Sequence, residues 1–209
     1  MKKNASSYLS MKICEYKSFI KQNKIFFIIT LAFVIVGLLL ALNHIGNYVQ
    51  ENEELSVFGK IKEGDFSYLK FELIILFAPL VLGLTIFIFS FNHYAVFLSY
   101  IAVIVFSRYW VRLVITSIIN DILLGILSLL LLYLPLFVIV LLFWTVFFVK
   151  TLFTVYSAPC RKRFYFEPYE RNFITLKKSI KEYLIIGVAI PFTFANLIVV
   201  TFTLIVNII

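Results

Sequence analysis

Charge is what this sequence has least of. Only 14% of its 209 residues are Asp, Glu, Lys or Arg, where soluble domains carry about 25%. From Leu73 to Val149 there are three charges, Arg108, Arg112 and Asp121. No soluble fold of this size buries so long an apolar stretch, so a water-soluble globular domain is excluded. The two cysteines, Cys14 and Cys160, rule out a disulfide framework. Both fall in segments that charge assigns to the cytoplasm, where thiols stay reduced. Cys160 precedes Arg161, Lys162 and Arg163, a setting in which reversible acylation is a candidate modification.

Histidine is scarcer still. His44 and His93 are the two in the chain and are expected on opposite faces of the membrane. With no H-E-x-x-H and no Cys/His cluster at ligand spacing, no metal site is expected. Gly59 and Gly64 have the glycine spacing of a phosphate loop, but Asp65 and Phe66 stand where its Lys and Ser/Thr belong. ATP hydrolysis by this chain is excluded, and no cofactor is implied. Phe89 to His93 matches the F-x-x-x-H of membrane CAAX-type proteases. Their E-E-x-x-x-R partner is missing, since Glu53-Glu54 is followed by Leu55, Ser56, Val57 and Phe58. The G-x-S and histidine of a rhomboid-like serine protease are absent too, so the chain reads as no enzyme.

What the sequence has in quantity is apolar residues: 62% hydrophobic, with 24 Phe and a mean hydropathy of +1.01. The fold class is therefore all-α, a polytopic membrane bundle. Residues 1–24 form a basic amphipathic arm, with six Lys against Glu15, suited to an anionic cytoplasmic leaflet. The first crossing, 25–42, is uncharged and about 27 Å long as a helix. No small-x-small cleavage site follows it, so it is expected to be an uncleaved anchor. Gly37 and Ala41 are i,i+4; they form either a helix-packing face or two small residues facing lipid.

Residues 43–72 hold six acids against Lys60, Lys62 and Lys70 and form the expected outer loop. Leu55, Phe58, Ile61, Phe66 and Leu69 recur at helical spacing there, with Gly59 and Gly64 as interruptions. That predicts a short surface helix on either side of the break, its apolar face open to a partner or to the membrane interface. Further crossings are placed at 73–91, 94–119, 122–149 and 183–206, with the basic loop 150–182 cytoplasmic. Three passes between 73 and 149 join an acidic outer loop to a basic inner one, with a turn at Asn120-Asp121. A re-entrant piece at 107–121 is the alternative. Pro79, Pro135 and Pro191 are candidate kinks, and Asn196 a further interruption. Arg171 to Glu182 reads as an interfacial helix leading into the last crossing. The layout has the N-terminus in, the C-terminus out, and one transmembrane domain after the arm.

Net charge is +8, but its uneven distribution reports topology and not a nucleic-acid partner. The expected partner throughout is the lipid bilayer, and homo-oligomerisation is left open. Arg108 and Arg112 share a helix face and are placed about 21 and 27 Å along the third crossing, toward its outer end. Two readings stand. They snorkel to lipid phosphates beside an interfacial belt of Tyr109 and Trp110, or they form an intramembrane polar site for an anionic partner, with Asp121 as counter-charge.

The order of elements resembles the stage II sporulation protein M family. Leu31 to Asn43 is similar to its first helix, Tyr94 to Phe106 and Leu132 to Pro135 to its central segment, and Arg161 to Ile209 to its basic loop and last helix. The chain departs from that pattern at Leu136-Phe137-Val138, where polar residues are usual, and at Ala195-Asn196, near an expected acid. The resemblance implies a non-catalytic scaffold in a bacterial plasma membrane. Its partner would be a cell-wall hydrolase in sporulation, or a circular bacteriocin precursor during maturation, export or self-protection. The heavy Phe, Ile, Lys and Asn usage favours the bacteriocin setting. Ser107 to Arg112 ahead of a long apolar segment is loosely similar to the permease subunit of a small ABC transporter, the competing reading.

Overall fold

The structure is a computed structural model in which residues 17–43, 56–89, 95–157 and 177–208 are described. Cys14, His44, Glu53, Glu54, His93, Cys160 and the residues from 158 to 176 lie outside them. All regular structure among the described residues is helical: α1 (Lys24–Leu42), α2 (Val57–Glu63), α3 (Tyr68–Phe89), α4 (Ser99–Asn120), α5 (Ile122–Ser128), α6 (Leu134–Ser157) and α7 (Ala189–Ile208). Residues 17–22 are helical as well. Leu129–Tyr133 and Tyr183–Val188 are π-helical turns that carry α5 into α6 and residues 177–182 into α7. Five helical stretches are long and apolar enough to cross a membrane. The chain is an all-α, multi-pass membrane protein.

Lys24, Lys150 and Glu182 mark one end of the bundle, the near end. There the Lys150 ammonium meets Glu182 Oε1 at 2.8 Å and lies 5.9 Å from the Phe19 ring centre. Phe58, Ser128 and Phe202 mark the far end. α1, α4 and α7 run from near to far, and α3 and the α5–α6 stretch run back. Each long helix keeps large apolar side chains outside at helical spacing, such as Ile28, Leu31, Ile35 and Leu39 on α1. A soluble monomer does not expose stripes of that extent; lipid covers them at no cost.

Lipid also removes the hydrophobic force between helices, so close packing and hydrogen bonds must hold the bundle. α1 and α4 lie parallel, with Phe33 stacked on Tyr100 at 4.7 Å. Gly37 and Ala41 are both buried on the face toward α4. A Cβ on Gly37 would stand 2.7 Å from the Ile104 carbonyl oxygen and from Ser107 Cβ. Tyr100, Trp144 and Phe148 form an aromatic centre at 4.7 to 5.4 Å. Polar tethers cross between helices, and three of them end on backbone carbonyls. Trp144 Nε1 donates to the Leu82 carbonyl at 3.1 Å, Trp110 Nε1 to the Tyr133 carbonyl at 3.1 Å, and the Tyr183 hydroxyl to the Pro79 carbonyl at 2.6 Å.

Several boundaries move. The second crossing begins at Tyr68, not Leu73, because Lys70 and Glu72 are exposed on a helix that simply continues outward. The third begins at Ser99 after a 3₁₀ turn, Ala95–Leu98. α4 is continuous to Asn120, and the Asp121 carboxylate accepts from Leu124 N at 3.1 Å to cap α5, so 107–120 has no break of the kind a re-entrant piece needs. Residues 177–182 are continuous with the last crossing. Asn196 does not interrupt α7; its side-chain amide donates to the Phe192 carbonyl within the helix. Pro79 sits inside α3. Near Pro135 and Pro191 the π-helical turns explain how the helices go on. A proline leaves the carbonyl four residues back without its donor and crowds it, and those carbonyls, Leu131 and Gly187, fall inside the widened turns.

The stretch 43–72 is the largest departure from a plain loop. Gly59 does not break a helix; it lies within α2, whose first turn is capped by Ser56 Oγ accepting from Gly59 N at 3.0 Å. Gly64 ends it with φ 77°, a left-handed conformation that suits glycine. The apolar face of α2 is not open to a partner. Phe58 is fully buried and stacks on Phe202 at 4.1 Å, and its backbone N–H points to Ser128 Oγ at 3.4 Å. The bundle itself fills that face.

Candidate functional site

Two features outside the packed core have the character of a site: a groove between α3 and α4, and a charged cap at the far end. The groove has a volume of about 520 Å³. Its walls are Phe77, Val81 and Thr85 of α3 and Ile101, Val105 and Tyr109 of α4, with Ala78 and Ala102 also lining it. It runs from Phe89 and Leu98 at the near end to Ile74 and Trp110 toward the far end. It exists because the two alanines leave space that longer side chains would close. The Thr85 hydroxyl donates to the Leu82 carbonyl, so the lining presents almost no polar group.

Arg108 and Arg112 follow Ile101 and Val105 at i+7 and i+11 from Ile101, so the four share one stripe of α4. Arg108 is exposed and Arg112 partly so. With α4 starting at Ser99, the arginines stand about 13.5 and 19.5 Å along it, mid-helix and not at its outer end. Yet α4 outreaches its neighbour. Arg108 N lies beside Gly37, five residues before the last residue of α1, so the pair is still within about 8 Å of the far end of α1. Tyr109 is 46% exposed beside them, but Trp110 is buried against Tyr133 and is no interfacial belt residue. Asp121 is nine residues beyond Arg112, about 13.5 Å along the helix axis. Its carboxylate serves the α5 cap, and the fold does not bring it to the arginines.

The cap consists of α2 and the turn after it. Its buried side is fixed by Phe58 and Ile61, while Lys62, Glu63 and Asp65 face outward. A hydrogen bond between the Tyr68 and Thr203 hydroxyls, 2.9 Å, ties its exit to α7. Sequence reasoning placed apolar residues at helical spacing here but could not tell an outward face from one turned back on the chain.

It also missed Tyr183. Its ring lies in a slot between Gly83 and Gly187 and stacks on Phe147 at 4.6 Å. Two glycines 104 positions apart carry no local signal of a shared neighbour. Among the described residues no group of three or more His, Cys, Asp or Glu side chains gathers as a metal site. Among the described residues the Ser107 and Thr151 hydroxyls are buried without a hydrogen-bond partner, and the Tyr100 hydroxyl is buried beside Thr30. No family model, curated protein or solved structure matches this chain.

Proposed function

We propose that the chain is a non-catalytic scaffold of a bacterial envelope complex, anchored in the plasma membrane by its five long helices and presenting its far-end cap outside. The observation that carries this reading is the use of the polar groups within the span. Trp110, Trp144, Tyr183 and Thr145 bond across to other helices, and Asp121 caps one. Such groups rigidify a bundle. Among the described residues the cap is then the polar surface at the far end that is open to a partner, held in place by Phe58.

The sequence resemblance to the stage II sporulation protein M family supports the same role. It supplies two partners, a cell-wall hydrolase in engulfment and a circular bacteriocin precursor, the second favoured by composition. A pull-down from native membranes tests the reading. The parent chain is expected to bring down a hydrolase or a bacteriocin precursor, and the pair Lys62→Glu with Asp65→Lys to lose it at unchanged membrane level. An ATPase in its place, lost on deletion of 161–182, would replace the scaffold with the permease reading.

A further inference from the structure

We propose that the α3–α4 groove is a binding site for an anionic phospholipid, one acyl chain lying along the groove and the headgroup phosphate held by Arg108 and Arg112. This goes beyond the scaffold reading and does not depend on it.

The geometry carries the proposal in three parts. First, the groove is a shaped space and not a flat seam. Its volume of about 520 Å³ falls within the range of roughly 300–1,000 Å³ typical of small-molecule sites. Along α4, from Leu98 to Trp110, it is about 18 Å long, slightly more than the roughly 15 Å of one leaflet. That suits one acyl chain entering from one side. Second, its lining is almost wholly apolar, with the Thr85 hydroxyl turned to the backbone and Tyr109 standing toward the far limit. A polar ligand would lose its hydrogen bonds there; a hydrocarbon chain loses nothing.

Third, the charge sits at one end only. Arg112 lies one helical turn beyond Tyr109, at the far limit of the groove, and Arg108 flanks that limit on the same stripe as Ile101 and Val105. Guanidinium groups bind phosphate oxygens through paired charge-assisted hydrogen bonds. A neutral lipid would fill the groove equally well but would not use the arginines.

The chain's own tryptophans provide the readout. Trp110 lines the groove, and Trp144 is fully buried behind it with its indole bonded to the carbonyl of the groove-lining Leu82, so both report on the same space. The full chain is reconstituted in phosphatidylcholine vesicles, and a fraction of the lipid is replaced by phosphatidylglycerol or phosphatidylcholine with brominated acyl chains. Quenching by the brominated phosphatidylglycerol is expected at about fivefold lower mole fraction, which corresponds to ~1 kcal/mol, the contribution of one cation at an anionic surface. Arg108→Gln with Arg112→Gln should remove this preference while quenching by phosphatidylcholine persists. Ala102→Leu, which narrows the groove and leaves the charge, should weaken quenching by both lipids. Inorganic phosphate should not displace the lipid. Equal quenching by the two lipids in the parent chain, an unchanged preference in the double glutamine variant, or displacement by phosphate alone would overturn the proposal. A failed pull-down with intact lipid preference would overturn only the scaffold reading.

Discussion

Tyr183 joins three helical stretches with one side chain. Its ring stacks on Phe147, its hydroxyl donates to the Pro79 carbonyl, and its two edges rest where Gly83 and Gly187 have no Cβ. Gly83→Ala forces a methyl group into that ring. We expect it to destabilise the bundle by about 1–3 kcal/mol, the usual cost of overpacking. Tyr183→Leu in the same chain should recover part of that loss. A double-mutant cycle from unfolding in mixed micelles measures the coupling, and additive effects would show that the two residues do not meet. Ser107 is the opposite case, a buried hydroxyl without a partner. Leaving such a group unsatisfied costs about 1–3 kcal/mol. Ser107→Ala should therefore hold or raise the melting temperature, and a clear fall would mean that the hydroxyl is engaged.

α2 shows how an element gains stability it does not have alone. A seven-residue helix is too short to persist by itself. Ser56 and Gly64 close its ends, and Phe58 seats it against α5 and α7. Phe58→Ala should remove about 3–5 kcal/mol of docking energy. The loss is local, so amide exchange at 57–63 should rise sharply while α1, α3, α4, α6 and α7 stay protected. Uniform loss of protection would mean that the cap and the bundle fold as one unit. The spacing of Phe58 and Ile61 made this helix legible in the sequence, but not its partner. Periodicity identifies an apolar face; only the return of α7 past the same point supplies Phe202 to fill it.

At the scale of the whole molecule the chain crosses the bundle five times, so its first and last described residues lie at opposite ends. Charge asymmetry then predicts which end is outside. With Cys14 and Cys160 replaced by Ser, Lys62→Cys should react with a membrane-impermeant maleimide in intact cells. Lys177→Cys should react only after permeabilisation. Labelling of both from one side would break the five-pass layout. The Lys150–Glu182 pair at the near end is partly exposed, 25% and 27%. Glu182→Gln should cost no more than about 1 kcal/mol in an unfolding titration, as for other exposed ion pairs.

The approximate place of the crossings was legible in the sequence itself, because a helix that crosses a bilayer must be long and apolar and its length can be counted. The turn at Asn120-Asp121 was one of two readings there, a re-entrant 107–121 being the other, and the unbroken α4 favours the turn. Which faces meet was decided by tertiary structure alone. A helix apolar on all sides gives no sign of whether a given residue touches lipid or another helix. Gly37 against Ser107, Tyr183 between two distant glycines, and the groove ending beside Arg108 and Arg112 all arise from how far one helix slides along the next. That offset is set by packing between side chains far apart in the chain.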